Sequence, residues 1–171
     1  AVAAAEKGAK VTIVEKRNTL GGNSMVSGAF FAADSPAQKR ANVDAPADYF
    51  FKYAMEWHHW KVNPRIVRAY INNTADTVRW LEEKGMKFTA GLRGSAPAGR
   101  LTYWHSVPVR PPPPGGTVMT LLMKEAEKLG VRVLLQTPAK KILTDAKGNV
   151  IGVLASSADK EYRIEAKATI I

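Results

Sequence analysis

The chain has 171 residues, 46% hydrophobic and 23% charged, which excludes a disordered polypeptide and suits one globular domain able to bury a core. It contains no cysteine, so disulfides, thiolate metal sites and thiol nucleophiles are excluded. The net charge of +10 would point to nucleic acid only if the basic residues clustered; Lys7, Lys39, Arg68, Lys124 and Lys160 are instead scattered, as on a solvated surface biased toward small anionic ligands.

Residues 1–7 are Ala-rich and favour a helix, with Gly8 at the C-cap position. Val11, Thr12, Ile13 and Val14 form a β-branched run, the mark of a buried strand, and Glu15 follows it. Helix end, tight turn, strand and acidic residue is the order of the second half of a βαβ unit. Its first half, a strand with a glycine-rich turn, is expected to precede residue 1. Residues 17–38 read as loop, broken by Gly21, Gly22, Gly28 and Pro36. From about Ala45 the pattern turns helical, and Tyr49, Phe50, Tyr53, Ala54 and Trp57 predict a core face. Asn63-Pro64 is a helix start, a capping side chain followed by proline at the first helical position. Ile66, Val67, Tyr70 and Ile71 supply that helix's apolar face. A further start at Thr74 leads through Val78 and Leu81 to a stop at Lys84-Gly85.

Residues 89–116 are rich in Gly, Pro and Arg and read as irregular, a length that is often functional inside a compact domain. Residues 117–129 predict an amphipathic helix with Val118, Leu121, Leu122 and Leu129 on one face. Gly130 closes it before a strand at 131–135. Strands at 140–143 and 150–154 flank a turn over 145–149, and Tyr162, Arg163 and Ile164 suggest a third. Residues 168–171 begin an apolar strand without turn or cap, so both ends of the chain read as cut. There is no internal repeat. No apolar run approaches the ~20 residues of a membrane helix. Residues 1–8 lack the basic start and apolar stretch of a signal peptide. A cytoplasmic location is favoured slightly, with export left open because the start reads as internal.

In a dinucleotide-binding βαβ unit, an acidic residue at the end of the second strand hydrogen-bonds the adenosine ribose, about 20 residues beyond the glycine fingerprint. Glu15 occupies that place, and no GxGxxG lies within the chain. An exposed strand-end Glu-Lys pair is the bland alternative. Gly21-Gly22-Asn23-Ser24 and Ser27-Gly28 follow as a second glycine-rich loop, where backbone N–H groups can approach a pyrophosphate or flavin closely.

The stretch A-A-A-E-K-G-A-K-V-T-I-V-E-K-R-N-T-L-G-G-N-S, followed by S-G, resembles the fumarate reductase and succinate dehydrogenase flavoprotein superfamily. It is most similar to the soluble branch that includes ketosteroid dehydrogenases and urocanate reductases. The likeness continues through Trp80-Leu81 and Gly85, Arg110-Pro111, Gly115-Gly116, Thr137-Pro138-Ala139 and residues 166–171. It implies an α/β, Rossmann-like FAD-binding domain with a central parallel sheet, inserted helices and a β-meander, truncated at both ends. Residues 1–171 would be a partial domain lacking the first strand, the fingerprint and the capping domain.

By the same resemblance FAD is the cofactor. Glu15 would bind the adenosine ribose, and Lys16, Gly21, Gly22, Asn23 and Ser24 would shape the loop beside the pyrophosphate and flavin. Ser27 and Gly28 would give backbone contacts near the isoalloxazine. Gly115 and Gly116 would lie near the flavin, and Ala139 against the adenine. The implied activity is hydride transfer between flavin and an activated C=C bond of a small molecule, a dicarboxylate being one class, with an unidentified electron donor. Ketosteroid dehydrogenase or urocanate reductase activity is the alternative within the family, and a basic anion or nucleic-acid binding module the alternative outside it. No catalytic residue is assigned, and without the fingerprint the chain by itself is expected to bind FAD weakly or not at all and to be inactive. Two departures stand out: Ala29 replaces a second glycine at the substrate face of the flavin, and the Arg-His-Arg-Pro run is altered around Trp104, His105, Arg110 and Pro111.

His58 and His59 point in different directions if helical and have no third ligand in view, so they make a poor metal pair. His105 and Arg110 could face a substrate or simply be exposed. Ser24 and Ser27 lack a base and orienting acid for a hydrolase triad.

Overall fold

The computed structural model describes residues 1–26, 29–44, 46–88, 92–95, 102–106, 116–158 and 160–170. In chain order the elements are α1 (Val2–Glu6), β1 (Thr12–Val14), a 3₁₀ turn (Gly22–Val26), β2 (Ala29–Phe31) and α2 (Pro36–Arg40). Next come α3 (Ala47–Trp57), α4 (Pro64–Glu83), β3 (Leu92–Ser95), β4 (Thr102–Ser106) and α5 (Gly116–Lys128). The last are β5 (Arg132–Leu134), β6 (Ala139–Thr144), β7 (Val150–Ser157) and β8 (Lys160–Glu165). Parallel and antiparallel sheets with helices make this a mixed α/β fold. The chain divides into two compact units, Ala1–Gly22 with Leu122–Ile171, and Asn23–Leu121.

In the first unit, Gly8 takes the left-handed conformation (φ 81°) that ends α1, and the Ala9 N–H closes on the Ala4 carbonyl. This is the C-terminal signal expected of a glycine at that position. α5 ends in the same way at Gly130 (φ 69°), with the Val131 N–H donating to the Ala126 carbonyl at 2.9 Å. Both turns deliver the chain into the parallel pair, where Thr12 lies opposite Arg132 and Val14 opposite Leu134. β6, β7 and β8 form an antiparallel sheet in chain order. The β6–β7 turn is tied by the Asp145 carboxylate, which accepts from the N–H groups of Lys147 and Asn149 and from the Asn149 side-chain amide. Gly152 sits in β7 against the β8 backbone, and a Cβ there would run into the Ile164 carbonyl.

The expected strand at 168–171 is not present in residues 168–170, and Ile170 is exposed. Strand structure needs a partner ladder, and the Ala166 N–H to Ile151 carbonyl bond is where this segment's sheet-like bonding ends among the described residues.

The second unit corrects several expectations. Residues 17–38 are not all loop: they contain the 3₁₀ turn, β2 and α2. α2 forms because Ser35 caps it, Pro36 occupies its first turn, and Gln38 completes a capping box. The Ser35 hydroxyl accepts the Gln38 N–H, the Gln38 side chain accepts the Ser35 N–H, and its amide donates to the Ala32 carbonyl at 2.6 Å. Both residues are fully buried. Nor are residues 89–116 wholly irregular, since β3 and β4 pair with each other and β4 with β2 in an antiparallel sheet ordered β2-β4-β3.

α4 is one helix of 20 residues, with no new start at Thr74. The Thr74 hydroxyl donates back to the Ile71 carbonyl at 2.7 Å within the helix and accepts the Ala33 N–H at 3.0 Å. Asn63 and Pro64 do begin the helix, Asn63 accepting from the Arg65 N–H. The core joins Ala33, Phe50 and Ile71, with Phe31, Val43, Tyr49, Phe51 and Val67 packed around it. α3 and α4 are further linked by the Arg68–Asp48 ion pair at 2.6 Å and by the Arg68 guanidinium lying 3.8 Å from the Phe51 ring centroid. Trp57, Ile66 and Tyr70, expected on core faces, are 63%, 68% and 58% exposed. Helical periodicity identifies a stripe; it does not say how far along the helix a neighbour covers it.

Candidate functional site

β1 and β5 run in the same direction, so their carboxyl ends lie side by side, the edge at which open α/β sheets place ligands. Glu15 stands just past β1. Its N–H donates to the Leu134 carbonyl at 2.9 Å, and its own carbonyl accepts the Thr137 N–H at 2.8 Å. The pairing extends past both strands, because the Gln136 N–H also donates to the Arg17 carbonyl at 2.9 Å. Gln136 takes a left-handed backbone (φ 50°) to turn the chain there. Thr137 is buried, and its hydroxyl donates to the Leu135 carbonyl at 2.8 Å.

These bonds bring Glu15 beside the segment that leads into Ala139. Pro138 accepts the Ser156 N–H at 3.1 Å, and Ala139 opens β6 opposite the fully buried Ala155. The position of the Ala139 backbone is therefore set from two sides, by the ladder to Glu15 and by β7. Glu15 is half-buried, and one carboxylate oxygen accepts the Arg17 N–H at 2.7 Å. A carboxylate has about four acceptor sites, so this local turn holds the side chain while leaving capacity for hydroxyl donors. Lys16 is exposed.

Gly21 and Gly22 both have positive φ, 115° and 47°. A side chain is strained in that region, and the space beside Gly22 is open, with nothing within 4 Å of where a Cβ would stand. The double glycine is thus required by the backbone and leaves that backbone accessible, which suits close approach of a phosphate or ring.

Asn23 and Ser24 are exposed in the 3₁₀ turn, and Gly116 is the first residue of α5; all three belong to the second unit. Ser27, Gly28, Gly115 and Arg110 lie outside the described residues. His105 and Ala29 are placed opposite Phe30 and Ser106 respectively in the β2–β4 ladder. His58 and His59 are exposed, and no group of three metal-ligating side chains occurs among the described residues. Sequence reasoning missed Arg17 and Thr137 as the groups that orient Glu15. Their role is carried by main-chain N–H groups, which leave no residue signature.

The protein family described as FAD binding domain matches the chain over residues 1–171. The chain is 33% identical over 159 residues to a vinyl phenol reductase of Lactiplantibacillus plantarum, covering 92% of this chain and 31% of that protein. It is 28% identical over 174 residues to a fumarate reductase (cytochrome) of Shewanella frigidimarina, covering 100% of this chain and 30% of the relative. Among solved structures, the open conformation of a flavocytochrome c3 fumarate reductase superposes with a TM-score of 0.84 at 26% identity, over 98% of this chain and 30% of that one. The chain thus spans about a third of the length of these relatives.

Proposed function

Because this chain belongs to the FAD binding domain family of the fumarate reductase and succinate dehydrogenase flavoprotein superfamily, we propose that it holds the adenosine end of FAD in an oxidoreductase acting on a carbon–carbon double bond. The observation that carries the reading is Glu15, a half-buried carboxylate fixed just past the carboxyl end of β1 with acceptor capacity to spare. In this reading Glu15 accepts from the ribose hydroxyls and the Ala139 main chain lies against the adenine. Gly21 and Gly22, with Lys16 nearby in sequence, form the phosphate-side loop. FAD, when bound, supplies the hydride chemistry; the protein's part is binding, orientation and electrostatics.

The relatives' names, vinyl phenol reductase and fumarate reductase, support reduction of an activated C=C bond in a small molecule. Ala29, standing where the resemblance expects a second glycine, supports a substrate other than a dicarboxylate, because alanine carries a methyl group where glycine leaves room.

FAD titration of the full-length protein carrying Glu15→Ala tests the reading. Loss of hydrogen bonds to an ionised acceptor is worth about 2 kcal/mol, roughly thirtyfold in Kd. Glu15→Gln, which keeps the shape and loses the charge, should fall between the two. An affinity unchanged in both variants sinks the assignment. Steeply salt-dependent binding to random DNA would instead support the anion-binding module.

A further inference from the structure

We propose that the tip between α3 and α4 is a docking surface for an anionic lipid bilayer, inserted through Trp57 and Trp60 and held by Lys61 and Arg65. Trp57 and Trp60 are 63% and 61% exposed, and Ile66 at the start of α4 is 68% exposed. Three large apolar side chains exposed around a single helix–helix turn are candidates for an interaction site. Trp57 is held in place from within its own helix. Trp57 stacks on Tyr53 at 6.2 Å between ring centroids, Tyr53 on Tyr49 at 6.4 Å, and Tyr49 meets Phe50 edge-on at 5.2 Å. A row of rings thus ties the exposed indole to the buried core.

The turn is equally defined. His59 and Trp60 both adopt left-handed backbone, at φ 51° and 58°, a conformation unfavourable for bulky residues. It is held by the Trp60 N–H to Met55 carbonyl bond at 2.8 Å, the His59 N–H to Glu56 carbonyl bond at 2.9 Å, and the Lys61 N–H to His58 carbonyl bond at 3.0 Å.

Charge selects the occupant. The acidic residues of α3 are engaged, Asp48 by Arg68 at 2.6 Å and Glu56 by Lys52 at 3.8 Å. Lys61 and Arg65 are exposed and have no acidic partner among the described residues, so the tip is net positive on a chain of net charge +10. Tryptophan and arginine are common in protein–protein interfaces, but lysine is depleted from them. Tryptophan beside lysine and arginine is instead the composition of the membrane–water boundary, with indoles at headgroup depth and basic groups over anionic lipid. No helix among the described residues is long and apolar enough to cross a membrane; the proposed contact is one of this tip with the bilayer surface.

Co-sedimentation of the full chain with vesicles of phosphatidylcholine, with and without phosphatidylglycerol, tests this. Binding is expected only with phosphatidylglycerol, with a blue shift of tryptophan emission, and it should weaken as salt rises toward about 1 M, where the screening length is about 3 Å. Trp57→Ser with Trp60→Ser should lower partitioning by at least about tenfold, since burial of two indoles is lost. Lys61→Glu with Arg65→Glu should remove the preference for the anionic vesicles. All four backbones keep their hydrogen bonds, so far-UV circular dichroism should not change, while the lost Trp57–Tyr53 stacking should lower the thermal midpoint only slightly. The proposal is overturned if the wild-type chain stays in the supernatant, as it would with a protein partner at this tip. It is equally overturned if the chain binds both vesicle types alike, or if the tryptophan variant binds as well as the wild type.

Discussion

The Thr137 N–H donates to the Glu15 carbonyl at 2.8 Å, so residues more than a hundred positions apart share one bond at the carboxyl edge of the parallel pair. The same threonine is buried and gives its hydroxyl to the Leu135 carbonyl. Thr137→Ala removes that hydroxyl bond and should cost about 1 kcal/mol in urea unfolding. FAD affinity of the full-length protein should fall with it, while Thr137→Ser, which keeps the bond, should leave affinity close to wild type. Equal FAD binding by the alanine variant would show that the hydroxyl does not set the backbone beside Glu15.

The fully buried Gln38 side chain ties two backbone groups, the Ser35 N–H and the Ala32 carbonyl. Gln38→Ala leaves the Ser35 N–H and the Ala32 carbonyl without their partner, at about 1–3 kcal/mol for each buried group. A total loss of about 3 kcal/mol is expected from equilibrium denaturation. A loss below about 1 kcal/mol would mean that water or a relaxed backbone satisfies these groups.

Gly152→Ala should destabilise the β6–β7–β8 sheet, because the new methyl meets the Ile164 carbonyl and the Glu165 Cα. Overpacking of this kind costs about 1–3 kcal/mol, and backbone atoms in a ladder cannot swing aside as a side chain can. Thermal unfolding measures it; an unchanged midpoint would contradict the close approach.

Asp145 predicts a pH dependence. Its carboxyl lies below the usual carboxylate range, chiefly through the Asn149 side-chain amide, then the Asn149 N–H, with Lys147 and Gly148 N–H groups adding to it. A carboxyl whose folded pKa is lower than its unfolded value stabilises the fold above that unfolded value, here 3.8. The stabilisation is lost as pH falls through the lower folded value. Asp145→Ala should therefore lower the urea midpoint at pH 7, and the gap from wild type should narrow as the solution is taken below pH 3.8. A gap independent of pH would remove the charge from the explanation.

What the sequence makes legible is local. The run from Gly8 through Val14 to Glu15 carries its own signals, a left-handed terminator, β-branched residues and an acidic strand end; the structure follows them in forming the strand but not in burying it, since Thr12 is exposed and Ile13 and Val14 are half-buried. The β2-β4-β3 sheet is not legible, since it is assembled from three short segments whose pairing depends on distant partners. α2 is hidden although Ser35, Pro36 and Gln38 spell its start, because the glycine-rich stretch before it dominates the pattern. For the candidate site, Glu15 can be found from its strand. The ladder from Gln136 and Thr137 cannot, because parallel pairing joins segments separated by a long crossover.

Thr74 has a consequence of its own. One hydroxyl gives to Ile71 inside α4 and takes from Ala33 just beyond β2, so the Ala33 amide is shielded by a side chain of a helix to which it does not belong. Its exchange with deuterium should track the opening of α4. A single peptide proton then serves as a natural gauge of whether the helix is intact, readable without introducing a label.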